Sequence, residues 1–343
     1  MTETYFLTGN HFEAARRLPD APDPRCRRWH GHSFQVAARS TVSDRVSLAA
    51  FDAMLADAVS SLHYHSIHAV LDNADDVALA RFIINQLPTA SSLWLRSAPH
   101  YGVMLDEQQT LIWLGGHFEA AHQLPHVPPG HQCGRLHGHR FDIRLVANAE
   151  QTELTALEAA WRPLHQQLHH RYLNTIEGLA NPTSEVIAAW LFTRLSARIT
   201  GLMWVEVYET HTAGSQFDGH QFRIWKEHRF ESATPFDATG HYTGHSYLIR
   251  LMLSGHLDHT MGWIKDFGDV KTRFAPIYRQ LDHHPLDQLT GCRDSTSLAV
   301  AHWVYSQMAA SLPELARIDL IENPQRGVSL CAAPNMDWPL FIL

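Results

Sequence analysis

The chain has 343 residues, 45% of them hydrophobic and 18% charged, with a formal net charge of −8. No run of about 18 apolar residues occurs, which argues against a membrane-spanning helix, and the negative balance gives no basic footprint for nucleic acid. Cys26, Cys133, Cys292 and Cys331 lie far apart without a CxxC pair and read as reduced thiols. The N-terminus has neither the basic nor the apolar region of a signal peptide, so the expectation is a cytoplasmic protein.

In chain order, HFEAARRL opens an extended segment at His11, and a loop leads to an alternating strand at HGHSFQVA. Two helical stretches follow, SLAAFDAMLADAVSSL and DDVALARFIINQL, and then a short strand, SSLWLRS. A further short strand is expected within 101–115. The pattern then restarts at His117, 106 residues on, with HFEAAHQL. Its strand HRFDIRLV puts Phe141, Ile143 and Leu145 on one face; SEVIAAWLFTRL is its second helix, MWVEVYE its closing strand, and 215–226 holds a possible further strand. A weaker copy, RFESATPFDATGHYTGHSYLIRLML, begins at Arg229, and RIDLIEN closes it.

Three units are therefore expected, 1–108, 109–224 and 225–343, each of ordinary domain size. The order β-β-α-α-β suits an antiparallel sheet with helices on one face, an α+β arrangement. Three such sheets in one chain can pair edge to edge and so remove most of their open edges.

The middle unit carries a candidate metal site. In a strand, His137 and His139 point the same way across Gly138, which leaves space on the opposite face. His122, on the preceding antiparallel strand, can supply a third ligand. Three imidazoles with an open fourth position describe a catalytic zinc site rather than a structural one. The Cys-x-x-x-His-Gly-His spacing occurs twice, at Cys26/His30/His32 and Cys133/His137/His139. In the first unit Arg16 replaces the first histidine, and a guanidinium cannot ligate. In the third unit Thr234, Thr239 and Thr243 replace the first histidine, the cysteine and the second histidine, leaving His245. One Zn²⁺ site per chain is expected, with a two-histidine remnant in the first unit. His126, His131 and His241 read as loop histidines.

With FEAAH, CGRLHGH, LHHRYLN, NPTSE and VEVYET in succession, the middle unit resembles the 6-pyruvoyl-tetrahydropterin synthase and 6-carboxytetrahydropterin synthase family. The outer units resemble it less strongly. The resemblance implies a tunnelling fold: each unit gives a four-stranded antiparallel sheet with two helices outside, and three close into a pseudo-trimeric twelve-stranded barrel. Two such rings stack in the family, so a homodimer of this chain is implied. No nucleic-acid or membrane partner is expected.

The resemblance also implies a substrate, 7,8-dihydroneopterin triphosphate, and a site shared between neighbouring units. Zinc and cysteine come from one unit, an Asp-His pair from the next. That pair is whole only in the third unit, as Asp282 and His283; the first reads His63-Tyr64 and the second His169-His170. The expected site therefore joins His122, His137, His139 and Cys133 to Asp282 and His283 at one seam. Cys133, with a lowered pKa, is the expected base, and His283 the acid-base partner oriented by Asp282. Glu209 is expected to bind the amino-pyrimidine edge of the pterin, with Thr183 and Thr210 beside it. Arg135 and Arg140 are weaker candidates for the triphosphate. Glu322 matches Glu209 in the third unit but lacks a zinc pocket, so a structural role is expected. Asp266-Phe267 resembles the family's D-F element before a helix.

The expected product is 6-carboxytetrahydropterin, on the queuosine route. The alternatives are 6-pyruvoyl-tetrahydropterin formation and a pterin-binding or scaffold protein without turnover. A generic three-histidine hydrolase would leave Cys133 and Glu209 without a role.

Overall fold

The computed structural model describes residues 2–333 and Met336, apart from Asp44, Glu107, 236–239 and 324. The first third holds β1 (Glu3–Arg16), β2 (His30–Thr41), α1 (Leu48–Ser60), β3 (His65–Ser66), α2 (Asp76–Ile84), β4 (Ala90–Ala98) and β5 (Tyr101–Asp106). The second repeats it with β6 (Thr110–His122), β7 (His137–Asn148), α3 (Leu154–Leu168), β8 (Arg171–Tyr172), α4 (Ser184–Ser196), β9 (Leu202–Thr210) and β10 (Ala213–Phe217). The last has β11 (Phe222–Pro235), β12 (Tyr242–Gly255), α5 (Phe267–Leu281), α6 (Ser297–Met308), β13 (Leu315–Asn323) and β14 (Arg326–Cys331).

Each third lays down four antiparallel strands, and β5–β6 and β10–β11 join the thirds. Pairing of β14 with β1, from Glu3↔Cys331 to Thr8↔Arg326, closes a twelve-stranded antiparallel barrel. The two-residue strands β3 and β8 add to the edges of β1 and β6. Closure leaves no long edge exposed.

The stretches 101–115 and 215–226 each contain a turn, so each spans two strands where one was expected. Asp106 accepts the N–H groups of Gln108 and Gln109, and Asp218 those of His220 and Gln221, with Gly219 at φ +93°. These Asx turns let the chain reverse within four residues.

Alternate strand residues face the helices. Phe118, Phe141, Ile143, Leu145, Val205 and Val207 pack with Leu157, Leu164, Ile187 and Leu191. The same stacked pair recurs in every third: Phe12–Phe34, Phe118–Phe141 and Phe230–Tyr247, with ring centroids 4.8, 5.0 and 5.0 Å apart. Helix entry is marked by Ser47, Asp75, Thr183, Asp266 and Thr296, each capping with its side chain and each contributing about 1 kcal/mol.

The opposite strand faces fill the barrel. Trp94, Trp113, Trp204 and Trp225 are buried there with the ion pairs Arg144–Glu206 and Arg317–Asp319, both at 2.7 Å. Among the described residues, no helix is long and apolar enough to cross a membrane.

Candidate active site

His122 ends β6 and His137 starts β7, and the two are direct cross-strand partners. His139 lies one strand repeat on, on the same face. The ring centroids are 4.4 Å (His122–His137), 5.1 Å (His122–His139) and 5.9 Å (His137–His139) apart. One ligand atom from each residue falls within 4.8 Å of the others, and among the described residues no other group of three does so. Gly138 serves close approach: a Cβ there would sit 3.0 Å from the Ala120 carbonyl, so the face opposite the histidines is not open space.

The hydrogen bonds fix the ring protons. The Nδ1 atoms of His122, His137 and His139 meet the carbonyls of Pro182, Arg135 and Arg140 at 3.1, 2.8 and 3.0 Å. Each Nδ1 therefore carries the proton, and each Nε2 presents a lone pair. The Nε2 atoms of His122 and His139 are 3.2 Å apart. Two lone pairs at that distance repel unless a cation lies between them, and this donor set fits a metal ion. Burial pushes the His122 imidazole down to about 4, reinforced by His137, so it stays an unprotonated ligand at neutral pH.

A cavity of about 580 Å³ opens beside His122, with His137 and His139 off its wall. The second third supplies His122, His131, Cys133, Arg135, Thr183, Glu185, Glu209 and Thr210 to its wall; the third supplies Lys226, Trp263, Lys265 and Asp266. The seam is thus part of the site. Burial, helped by Glu209 and Asp266, pushes the Cys133 thiol up, not down as expected. The protein's own groups supply no lowering; a dication at the imidazoles would act the other way. Glu209 is also raised by burial, against the pull of His139, His137 and Lys226.

Thr183 lines the cavity, but its hydroxyl is committed. It accepts from Val186 N–H as the cap of α4 and donates to the Gly262 carbonyl at 2.6 Å. Glu185 went unremarked as a site residue although NPTSE contains it. It is buried and pushed up to about 7 by burial, while accepting the Ile264 N–H at 3.2 Å. Lys226, Trp263 and Lys265 were also missed, because nothing local to them signals which third they face. Arg140 is paired with Asp142 at 2.6 Å and is absent from the cavity wall, whereas Arg135 lines it.

Asp282 and His283 do not line the cavity. They pair with each other, Nδ1 to Oδ2 at 3.0 Å. Asp282 Oδ1 accepts the Glu231 N–H at 3.0 Å, and the His283 N–H donates to Glu231 O at 2.6 Å, with His283 at φ +61°. Only Phe222–Lys226 of β11 pair with β10, while β12 covers the other edge. The dyad therefore occupies the β11 edge that β10 leaves open, on the side of the second third. Tyr64 and His170 hold the same turn at φ +58° and +56°.

The outer counterparts of the metal site are filled. In the first third, Arg16 is 1% exposed, pairs with Asp76 at 2.5 Å and stands 3.5 Å from His32 Nε2. In the last, Thr243 Oγ1 lies 2.7 Å from His245 Nε2. Glu322 accepts from Ser297 Oγ at 2.7 Å and Arg326 Nε at 3.0 Å. Thr239 lies outside the described residues.

The family profile described as 6-pyruvoyl tetrahydropterin synthase matches residues 112–220 and again 221–332. A 6-carboxy-5,6,7,8-tetrahydropterin synthase from Synechocystis sp. is 43% identical over 113 residues, 29% of this chain and 86% of that protein. The solved Caenorhabditis elegans 6-pyruvoyl tetrahydropterin synthase is similar at 20% identity and a TM-score of 0.29, covering 31% of this chain and 92% of that one. Uricase from Arthrobacter globiformis is similar at 7% identity and a TM-score of 0.34, covering 76% and 96%.

Proposed function

Because the chain belongs to the 6-pyruvoyl tetrahydropterin synthase family, we propose that it is a zinc-dependent 6-carboxytetrahydropterin synthase in the cytoplasm, acting on 7,8-dihydroneopterin triphosphate on the queuosine route. The convergence of His122, His137 and His139, with His122 lining one cavity together with Cys133 and Glu209, carries the reading. The 43% identical Synechocystis relative favours the 6-carboxy product.

His122, His137 and His139 would hold the zinc, which when bound supplies Lewis acidity to the hydroxyls of the substrate side chain. Glu209 accepts two N–H donors of the amino-pyrimidine edge, with Thr210 beside it; Thr183 acts there through the cap it gives α4. Cys133 takes a proton from a side-chain carbon, and His283, oriented by Asp282, handles the partner proton at the seam. Arg135 and Lys226 give the cavity cations of the kind a triphosphate requires, while Lys265, also on the wall, is paired with Glu314 at 2.9 Å.

A second copy of the chain is the proposed partner, forming a homodimer of rings. Trp29, Leu136 and Tyr242 occupy equivalent positions in the three thirds, just before β2 and β7 and at the first residue of β12, and all are exposed. A repeated apolar rim of that kind suits a stacked copy. Sedimentation equilibrium should return twice the chain mass.

The test is anaerobic incubation of the zinc-loaded chain with dihydroneopterin triphosphate. 6-Carboxytetrahydropterin with acetaldehyde supports the reading; 6-pyruvoyl-tetrahydropterin supports the sister activity. Pterin bound without turnover points to a binding or scaffold protein, a reading favoured by the absence of Asp282 and His283 from the cavity wall.

A further inference from the structure

His131 reads in sequence as a loop histidine, but the fold gives it two directed contacts. Its Nδ1 accepts the Cys133 N–H at 3.2 Å. An atom that accepts an amide hydrogen carries no proton of its own, so the ring proton is on Nε2. That nitrogen faces Asp266 Oδ2 at 3.3 Å. The other oxygen of Asp266 accepts the Gly268 and Asp269 N–H groups at 2.7 and 3.1 Å, at the head of α5. Both carboxylate oxygens and both ring nitrogens are thus engaged in one chain of contacts, from the cysteine's backbone to the first turn of α5. His131, Cys133 and Asp266 all line the same cavity.

We propose that His131 and Asp266 form a latch across the seam that positions Cys133. Resting on the reading of Cys133 as the reactive thiol, the latch gives the otherwise loop-borne cysteine a fixed place relative to a helix of the neighbouring third. Two further contacts run the same way: His126 Nδ1 meets the Thr260 carbonyl at 2.6 Å, and Asn181 donates to the Met261 carbonyl at 2.7 Å. The latch is not repeated between the first and second thirds. In the first third Pro24 stands two residues before Cys26, where His131 stands before Cys133, and proline offers no ring acceptor. The helix that stands in place of α5 there, α3, has Glu153 at its N-cap and no side-chain cap. The latch occurs where the three histidines are complete.

The test reads thiol reactivity as well as turnover. Full-length zinc-loaded protein is alkylated with iodoacetamide, and modification of Cys133 is followed by peptide mass spectrometry, with Cys26 and Cys292 as internal controls. His131→Asn keeps a short acceptor for the Cys133 N–H but does not reach Asp266. Asp266→Asn keeps the helix-capping oxygen but turns an amide N–H toward Nε2–H. Each single variant should change the Cys133 rate by about fivefold or more while the controls hold, and the double variant should match the singles, since partners in one contact are non-additive. Where the wild type turns over pterin, kcat should fall by roughly tenfold with KM nearly unchanged, as misplacement of a reacting group predicts. An unchanged Cys133 rate in either folded single variant, or effects that multiply in the double, overturns the latch. If the wild type lacks pterin turnover, the function fails, and the alkylation cycle still decides the latch.

Discussion

Arg16 and Asp76 form an ion pair of 2.5 Å in the first third, at the place where the second third puts His122. Both groups are shielded from solvent, and Ser97 Oγ holds the second Asp76 oxygen at 2.5 Å. A fixed positive charge has taken over the space of the ion. Replacing Arg16 by Ala leaves Asp76 buried without its partner and should cost about 3–5 kcal/mol of stability, measured by denaturant unfolding. The double change Arg16→His with Asp76→Ser restores three histidines. Metal analysis should then rise from one ion per chain to two.

If His122, His137 and His139 hold one ion per chain, as proposed, removing His137 should abolish it, because two imidazoles hold a dication poorly. Plasma mass spectrometry of dialysed protein reads this directly. Retention of one ion per chain in His137→Ala would place the metal elsewhere.

Glu209→Gln keeps the shape of the anchor and removes its charge. A charge-assisted hydrogen bond contributes about 1.5–3 kcal/mol, so pterin affinity should fall by roughly tenfold to 150-fold by calorimetry. The metal content should stay at the wild-type level, since Glu209 is not among the converging ligands.

The seam reading of the dyad makes a prediction about mixed assemblies. Cys133→Ala and His283→Ala chains, co-expressed and co-purified, should remain inactive if each chain supplies its own pair. Recovery of about a quarter of wild-type turnover would mean that the pair crosses between chains of a twofold dimer.

His228 gives a pH prediction. Burial pushes its imidazole down to about 4, aided by the positive charges of Lys226 and Lys271, while the unfolded chain titrates near 6.5. Above 6.5 both states are neutral and the contribution is constant. As the pH falls from 6.5 toward 4 the unfolded state takes up the proton first, so stability drops across that window. His228→Phe should flatten this part of a stability–pH curve, with the wild type measured alongside.

The convergence of the three histidines was legible because the strand period alone puts His137 and His139 on one face, and His122 needed only an antiparallel partner. The filled outer sites were half legible: Arg16 announced the loss of a ligand, but not its ion pair with Asp76, 60 residues on in sequence. The cross-seam wall was not legible. Lys226, Trp263 and Asp266 reach the Cys133 cavity from the third that joins the second through the β10–β11 pairing, which no local pattern encodes. Thr183 was found by its motif, yet its bond to Gly262 O depends on a segment 79 residues away. The cysteine's electrostatics were not legible either: burial raises the thiol, reinforced by Glu209 and then by Asp266 from the neighbouring third.

The placing of the cavity has a consequence for how it is held together. Cys133 and Glu209 come to it from one third, and Lys226 and Asp266 from the next. Any small shift of one third against the other would therefore reshape the space between them without altering a single residue on either wall.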